Sequence, residues 1–309
     1  MLRLVRILIL FSIPYCLVAS WVVVVDPFMY FGNSTLVPSS FKEKISPQVN
    51  YALWKLNAFR RDPVRNIILG DSRTNRIDPV IVEKDTGRRY ANLSYGGGNL
   101  AEAIDTYWFA SRLVDLETVY IGVNIDTYNS NNTRSRVKSA LPVLDNILLY
   151  ILNRDVLKAS WLVSRCWLTG TITDLEKPPM GREEFWRYQL DVTAKRYFAT
   201  YHYPSELKRE LERVARQCAA KGTKLVFLVL PTHVDVQETE RKFGLAGARA
   251  RFLEDIANLG TVFDFDYASE LTMNRGNFLD PFHLEKGRIE SVITEIWGQR
   301  KGLARVHTP

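Results

Sequence analysis

A chain of 309 residues with 46% hydrophobic content can fill a full core, which excludes an intrinsically disordered protein and fits one large domain or two small ones. The net charge of +7 comes from Lys and Arg spread along the chain without a compact basic run, so no nucleic-acid partner is expected. The balance is that of a solvated surface, and it would also suit anionic lipid headgroups or an acidic polymer.

Ile7 to Val25 contains no charged residue. At about 1.5 Å per residue it can cross a hydrocarbon core of about 30 Å, and it is read as a transmembrane helix. Arg3 and Arg6 flank its N-terminal side, so the positive-inside rule puts the N-terminus in the cytoplasm and everything after Asp26 in the periplasmic or other extracytoplasmic space. Val18 and Ser20 are small enough for a signal-peptidase site, but the hydrophobic run continues through Trp21 to Val25, which argues for an uncleaved anchor. Tyr15 is too bulky to precede a lipidated Cys16, and Pro14 is tolerated in a membrane helix.

Residues 26–62 then form a connector, with a short helix expected over Ser46 to Phe59. Beyond it, β-rich apolar runs at Asn66 to Leu69, Tyr90 to Leu93, Thr118 to Val123, Lys224 to Leu230 and Thr261 to Phe265 alternate with helical patterns. The helices are expected at Asn99 to Leu113, Ser205 to Ala220, Ala246 to Asn258 and Leu284 to Trp297. Pro204-Ser205-Glu206 offers a helix start and Lys221-Gly222 a stop. This alternation predicts a three-layer α/β/α domain over residues 63–309, with a parallel sheet of five strands covered on both faces. Residues 126–204 interrupt it and are expected to be a helical insertion. There, Asp145, Arg154, Asp155, Lys158 and Arg165 interrupt the apolar residues between Leu141 and Leu168, which disfavours a second membrane span. Arg300 to Pro309 reads as a frayed basic tail. Cys166 and Cys218 either pair or simply pack, and packing is preferred.

The chemistry-bearing residues fall at strand ends. Gly70-Asp71-Ser72 follows the first strand and Gly96-Gly97-Gly98 the second. Gly122-Val123-Asn124 ends the third, and Asp280-Pro281-Phe282-His283 precedes the last helix. Open α/β sheets place their sites at the carboxyl ends of strands. A serine hydroxyl becomes a useful nucleophile when an imidazole takes its proton and a carboxylate holds the imidazole, and Ser72, His283 and Asp280 can fill those roles. The bland alternatives are a serine capping the next helix and a surface histidine. His233, in Pro231-Thr232-His233, follows the fourth strand and is a weaker substrate-binding candidate, equally readable as a histidine satisfied by backbone. None of the four histidines forms a ligand-spaced pair, and neither phosphate-loop nor dinucleotide spacing is present, so neither metal nor cofactor is expected.

Taken together, these blocks resemble the SGNH/GDSL hydrolase family, over residues 64 to 299 outside the insertion. The resemblance implies a flavodoxin-like sheet, Ser72 as nucleophile, His283 as base and Asp280 as its orienter. It also implies an oxyanion hole made by the backbone amides of Ser72 and Gly97 with the Asn124 side chain. Gly97 is preferred over its neighbours because the family glycine follows an Asn by five positions, here Asn92. Two departures stand out: the third block reads Gly122-Val123-Asn124-Ile125-Asp126, and the first continues Arg73-Thr74-Asn75.

With the anchor, the pattern is similar to the extracytoplasmic accessory proteins of membrane-bound O-acyltransferases, such as those of alginate O-acetylation and of D-alanine transfer to teichoic acid. It implies an O-acyltransferase, in the first instance an O-acetyltransferase, acting on a cell-envelope polysaccharide or other acyl acceptor, with a membrane-bound O-acyltransferase as partner. A carbohydrate or lipid esterase of the same fold uses the same triad. A noncatalytic partner of an integral-membrane acyltransferase, contacting it through residues 126–204, is the third reading.

Overall fold

A computed structural model describes residues 2–32, 36–171, 180–298 and 302–308, with backbone alone for residues 2–5 and 7–9. The chain divides into two units, one of Met1–Asp62 with Arg136–Pro178, the other of Pro63–Ser135 with Pro179–Pro309.

The second unit is α/β. Its strands are β1 (Asn66–Leu69), β2 (Tyr90–Asn92), β3 (Thr118–Gly122), β4 (Lys224–Val229) and β5 (Thr261–Asp264), and they pair in parallel in the order 2-1-3-4-5. That is the doubly wound order in which the chain reverses direction at β1 and opens a crevice between β1 and β3. All five expected strands are present. β1 and β3 are buried along their whole length, as strands covered on both faces must be. Ile68, Tyr120, Val226 and Leu228 point to one face, where Val82 of the helix Pro79–Thr86 and Ile289, Val292 and Ile293 of the helix Lys286–Trp297 join them in one core. Ile67, Val119, Ile121 and Phe227 alternate with them and are fully buried on the other face. There the helices Leu100–Leu113 and Ser205–Lys221 lie against each other and the sheet.

Local signals mostly place these helices. Ser205–Lys221 ends at Gly222, as Lys221-Gly222 predicts. It begins at Ser205 as expected, but Pro204 occupies the cap position and no side chain caps the helix. The antiparallel hairpin of β6 (Phe278–Asp280) and β7 (His283–Leu284) follows β5. The C-terminal segment also differs. Arg305–His307 forms β8, an antiparallel edge strand paired with β5 through Val262 and His307, Phe263 and Val306, Asp264 and Arg305. The sheet therefore has six strands. Basic composition hid this strand, because an edge strand's stabilisation comes from backbone hydrogen bonds to a neighbour distant in sequence. Residues 300, 301 and 309 of the expected tail lie outside the described residues.

The first unit is helical: Leu2–Val25, Ser39–Val49, Tyr51–Arg61, Arg136–Asp145, Ile147–Leu152 and Arg154–Thr169. The single helix expected at Ser46 to Phe59 is instead two. Asn50 ends the first, caps the second by accepting from the Leu53 amide, and donates to Asp155 at 2.7 Å. Asp26 and Met29 adopt positive φ angles of 45° and 54° where the first helix ends. The Asp26 carboxylate accepts from the amides of Tyr30, Phe31 and Gly32, which fixes that turn. Val25, Val37, Ile45, Leu162, Val163 and Cys166 form the core of this unit. Residues 26–62 are thus part of a folded helical body, and the expected insertion 126–204 is split between the two units. Among the described residues no helix is long and apolar enough to cross a membrane. The anchor expected over Ile7 to Val25 falls partly on side chains outside the described residues. Cys166 and Cys218 are buried and form no disulfide with each other.

Candidate active site

The polypeptide turns sharply after β1. Asp71 caps the helical turn Ser72–Asn75 by accepting from the Arg73 amide at 2.9 Å, so Ser72, and not its carboxylate neighbour, stands at the first helical position with its hydroxyl free to point outward. The turn packs against the end of β3, where Gly122 has no alternative: a Cβ there would lie 1.8 Å from the Thr74 hydroxyl. At the other end of the chain, Asp280 and His283 are paired residues of the β6–β7 hairpin, and the Phe282 amide donates to Asp280 at 2.9 Å, locking the carboxylate's position. This is the structural meaning of the Asp-x-x-His spacing.

The two ends meet. His283 Nε2 lies 2.8 Å from Ser72 Oγ, across 211 positions of sequence, and His283 Nδ1 lies 2.8 and 2.9 Å from the two oxygens of Asp280. A carboxylate can only accept, so Nδ1 carries the proton toward Asp280 and Nε2 is left to accept from the serine hydroxyl. Asp280 is buried and His283 half-buried. His283 faces a cavity of about 390 Å³ that Ser72, Gly97, Asp126 and Tyr197 also line. Gly97 has a φ of 59°, which favours glycine, and among the described residues neither its amide nor that of Ser72 donates elsewhere. Two free amides beside a nucleophile can receive the oxyanion of a tetrahedral intermediate.

Asn124 and His233 are not in this site. Asn124 is buried, and its side-chain amide donates to the Leu230 carbonyl at 2.7 Å and to Asp266 at 3.3 Å. It ties together the carboxyl ends of β3, β4 and β5, which corrects its expected place in the oxyanion hole. The physical reason is that both amide protons are committed to acceptors in the interior. His233 is also buried. Its Nδ1 accepts from the Asp235 amide as the cap of the helix Val234–Lys242, and its ring packs edge-on to Trp186 and Phe278. Burial pulls its pKa down against the opposing pull of Asp235. It is a structural histidine beside the His283 hairpin, bonded to it through its own amide and the Pro281 carbonyl at 2.8 Å.

The two sequence departures prove to be one feature. Arg73 donates to Asp71 through Nε at 2.8 Å and through Nη2 as well, and Nη2 also reaches both oxygens of Asp126 at 3.0 and 2.9 Å. All three residues are buried. Burial opposes the charge on Arg73, yet Asp126 and Asp71 together raise its pKa. Burial raises that of Asp126, with Arg73 pulling against it. The residue after the nucleophile is thereby clamped between the carboxylate that caps the nucleophile turn and one from the loop after β3. One side of the cavity wall comes from Tyr188, Gln189, Thr193, Arg196 and Tyr197. They lie on a helix, Arg182–Tyr188, a π-helical stretch, Gln189–Ala194, and a further short helix, Lys195–Ala199. Short π-helical insertions are frequent at functional sites. Sequence reading left these residues in an undifferentiated insertion, since no local composition marks a π-helical register.

No protein-family model matches the chain, and no curated protein matches it. Eleven chains of solved structures do match. One is "The structure of a putative platelet activating factor from Streptococcus pneumonia", which aligns over 84% of this chain and 97% of its own at 9% identity, with a TM-score of 0.42.

Proposed function

We propose that the α/β unit transfers acyl groups through a covalent intermediate on Ser72, in the manner of SGNH/GDSL hydrolases. One observation carries this reading: His283 bridges the Ser72 hydroxyl and the Asp280 carboxylate at hydrogen-bond distance on both sides. In the reaction, Ser72 Oγ attacks the acyl carbonyl while His283 Nε2 takes its proton. The amides of Ser72 and Gly97 hold the oxyanion, and the imidazolium, held by Asp280, returns the proton to the departing alcohol. A second hydroxyl then attacks the acyl-serine while His283 takes its proton, and His283 returns that proton to Ser72 Oγ as the bond to the acyl group breaks and the new ester leaves. No cofactor takes part.

We infer further that the acceptor is a hydroxyl of a cell-envelope polysaccharide and that the chain is held at the outer side of the membrane by Ile7 to Val25. A membrane-bound O-acyltransferase would then be the donor partner. The uncharged run and its flanking Arg6 support the anchor, and the mixture of Tyr188, Gln189, Thr193 and Tyr197 on the cavity wall suits a sugar ring. Water in place of the acceptor would make the same site an esterase.

The test is Ser72→Ala in the full chain, supplied with a radiolabelled acyl donor with and without a glycan. Wild type should form an acyl-serine that glycan discharges into product, and the variant should form neither. A variant as active as wild type would overturn the reading. Discharge to water at the same rate with or without glycan would make the chain an esterase.

A further inference from the structure

The helical unit carries an apolar and basic surface that the acyl-transfer chemistry does not use. On the helix Arg154–Thr169, Arg154, Lys158, Trp161, Arg165 and Leu168 follow one another at intervals of three and four, which places them on one face, and all five are exposed. Trp161 is 63% and Leu168 78% exposed, while the opposite face, Val156, Ala159, Leu162, Val163 and Cys166, is buried in the unit's core. The preceding helix, Ile147–Leu152, adds Leu148 at 66% and Leu152 at 61% exposure. A water-facing surface does not normally place tryptophan and leucine between arginines and lysines. An interfacial helix does, with the rings and aliphatic groups at the acyl boundary and the cations reaching up to lipid phosphates.

The helix that packs on the same two helices argues for the occupant of this surface. The apolar first helix packs on both of these helices. Trp21 donates from its indole to Ser164 at 3.1 Å, and Val25 sits in one core with Leu162, Val163 and Cys166. Directly after Val25, the Asp26 turn fixes the chain, so no loose linker separates the helix end from the unit. The exposed apolar side chains of the first helix, Leu10, Phe11, Tyr15 and Leu17 among them, therefore belong to a helix held rigidly on the two helices that carry the stripe.

We propose that the face formed by Ile147–Leu152 and Arg154–Thr169 lies in the interface of an anionic lipid bilayer, so that the helical unit is a membrane-seated platform and not a tethered domain. The inference goes beyond the acyl-transfer reading and does not depend on it.

The first helix alone could bring the chain to vesicles, so the test has to read position. In the full chain carrying Cys16→Ser, single Leu148→Cys, Leu168→Cys or Lys44→Cys substitutions take an environment-sensitive fluorophore. The chain is then reconstituted into vesicles of phosphatidylcholine and phosphatidylglycerol, with and without lipids brominated near the headgroup. Labels at 148 and 168 should shift to the blue and be quenched several-fold more than the label at 44, which is exposed on the helix Ser39–Val49 of the same unit. Neutralising the stripe with Arg154→Gln, Lys158→Gln and Arg165→Gln should remove most of that difference. Labels at 148 and 168 quenched no more than the one at 44 would overturn the proposal, whether or not the chain floats with the vesicles. That result would leave the stripe to a protein partner.

Discussion

Ser72 takes little part in packing, because its side chain faces the cavity and, among the described residues, bonds only to His283. Ser72→Ala should therefore change stability by less than about 1 kcal/mol while removing nearly all covalent turnover, and thermal unfolding beside acyl-serine formation measures both. Asn124 is the opposite case. Asn124→Ala deprives the Leu230 carbonyl and the Asp266 carboxylate of a buried donor, which should cost about 1–3 kcal/mol. Turnover by the folded fraction should stay within about tenfold of wild type, whereas losing an oxyanion donor typically costs about 100- to 1,000-fold. Steady-state rates corrected for folded fraction decide between the two. For Arg73 the expected effect is larger. Arg73→Ala leaves Asp71 and Asp126 unpaired in the interior, and the loss should reach about 3–5 kcal/mol in urea denaturation.

At the level of elements, the site depends on how closely the turn Ser72–Asn75 approaches the end of β3. Gly122→Ala would drive a methyl group into Thr74, whose hydroxyl and Cβ would lie at 1.8 and 2.9 Å, so the turn carrying Ser72 has to move. Activity and melting temperature should fall together. Thr74→Ala in the same chain should restore part of both, because it removes the nearest atom, and a double-mutant cycle would read this as a favourable coupling. Additive losses would mean that the strain is relieved elsewhere. The β6–β7 hairpin has the same character, since its two-residue turn is what brings Asp280 opposite His283.

At the scale of the whole molecule, the carboxyl ends of the strands gather buried charge. Glu240 pairs with Arg249 at 3.0 Å, and Arg249 also holds Asp266 at 3.1 Å. Burial, partly offset by Arg249, pushes Glu240 from 4.5 up to about 7. Between those values the folded chain keeps a proton that the unfolded chain has released, so stability is full below 4.5 and falls as pH rises toward about 7. Glu240→Gln should remove this contribution. Urea midpoints of variant and wild type should accordingly diverge as pH rises from about 5 to about 7.5. Parallel midpoints across that range would place the titration elsewhere.

Sequence by itself determined the alternation of apolar strands and periodic helices, and hence the five parallel strands, because strand periodicity and burial on both faces are local properties of each segment. It also determined the order Ser72, Asp280, His283, since each sits next to a turn that its own neighbours encode. Tertiary structure alone decided where a strand-end side chain points. Asn124 and Ser72 both end strands, yet one donates inward to Leu230 and Asp266 and the other faces a cavity, and nothing within a few residues of either distinguishes them. It alone joined Arg73 to Asp126, split the expected insertion between two units and paired Arg305–His307 with β5. In each of these the stabilising partner lies tens of residues away, so the free energy that selects the conformation is absent from any local window of sequence.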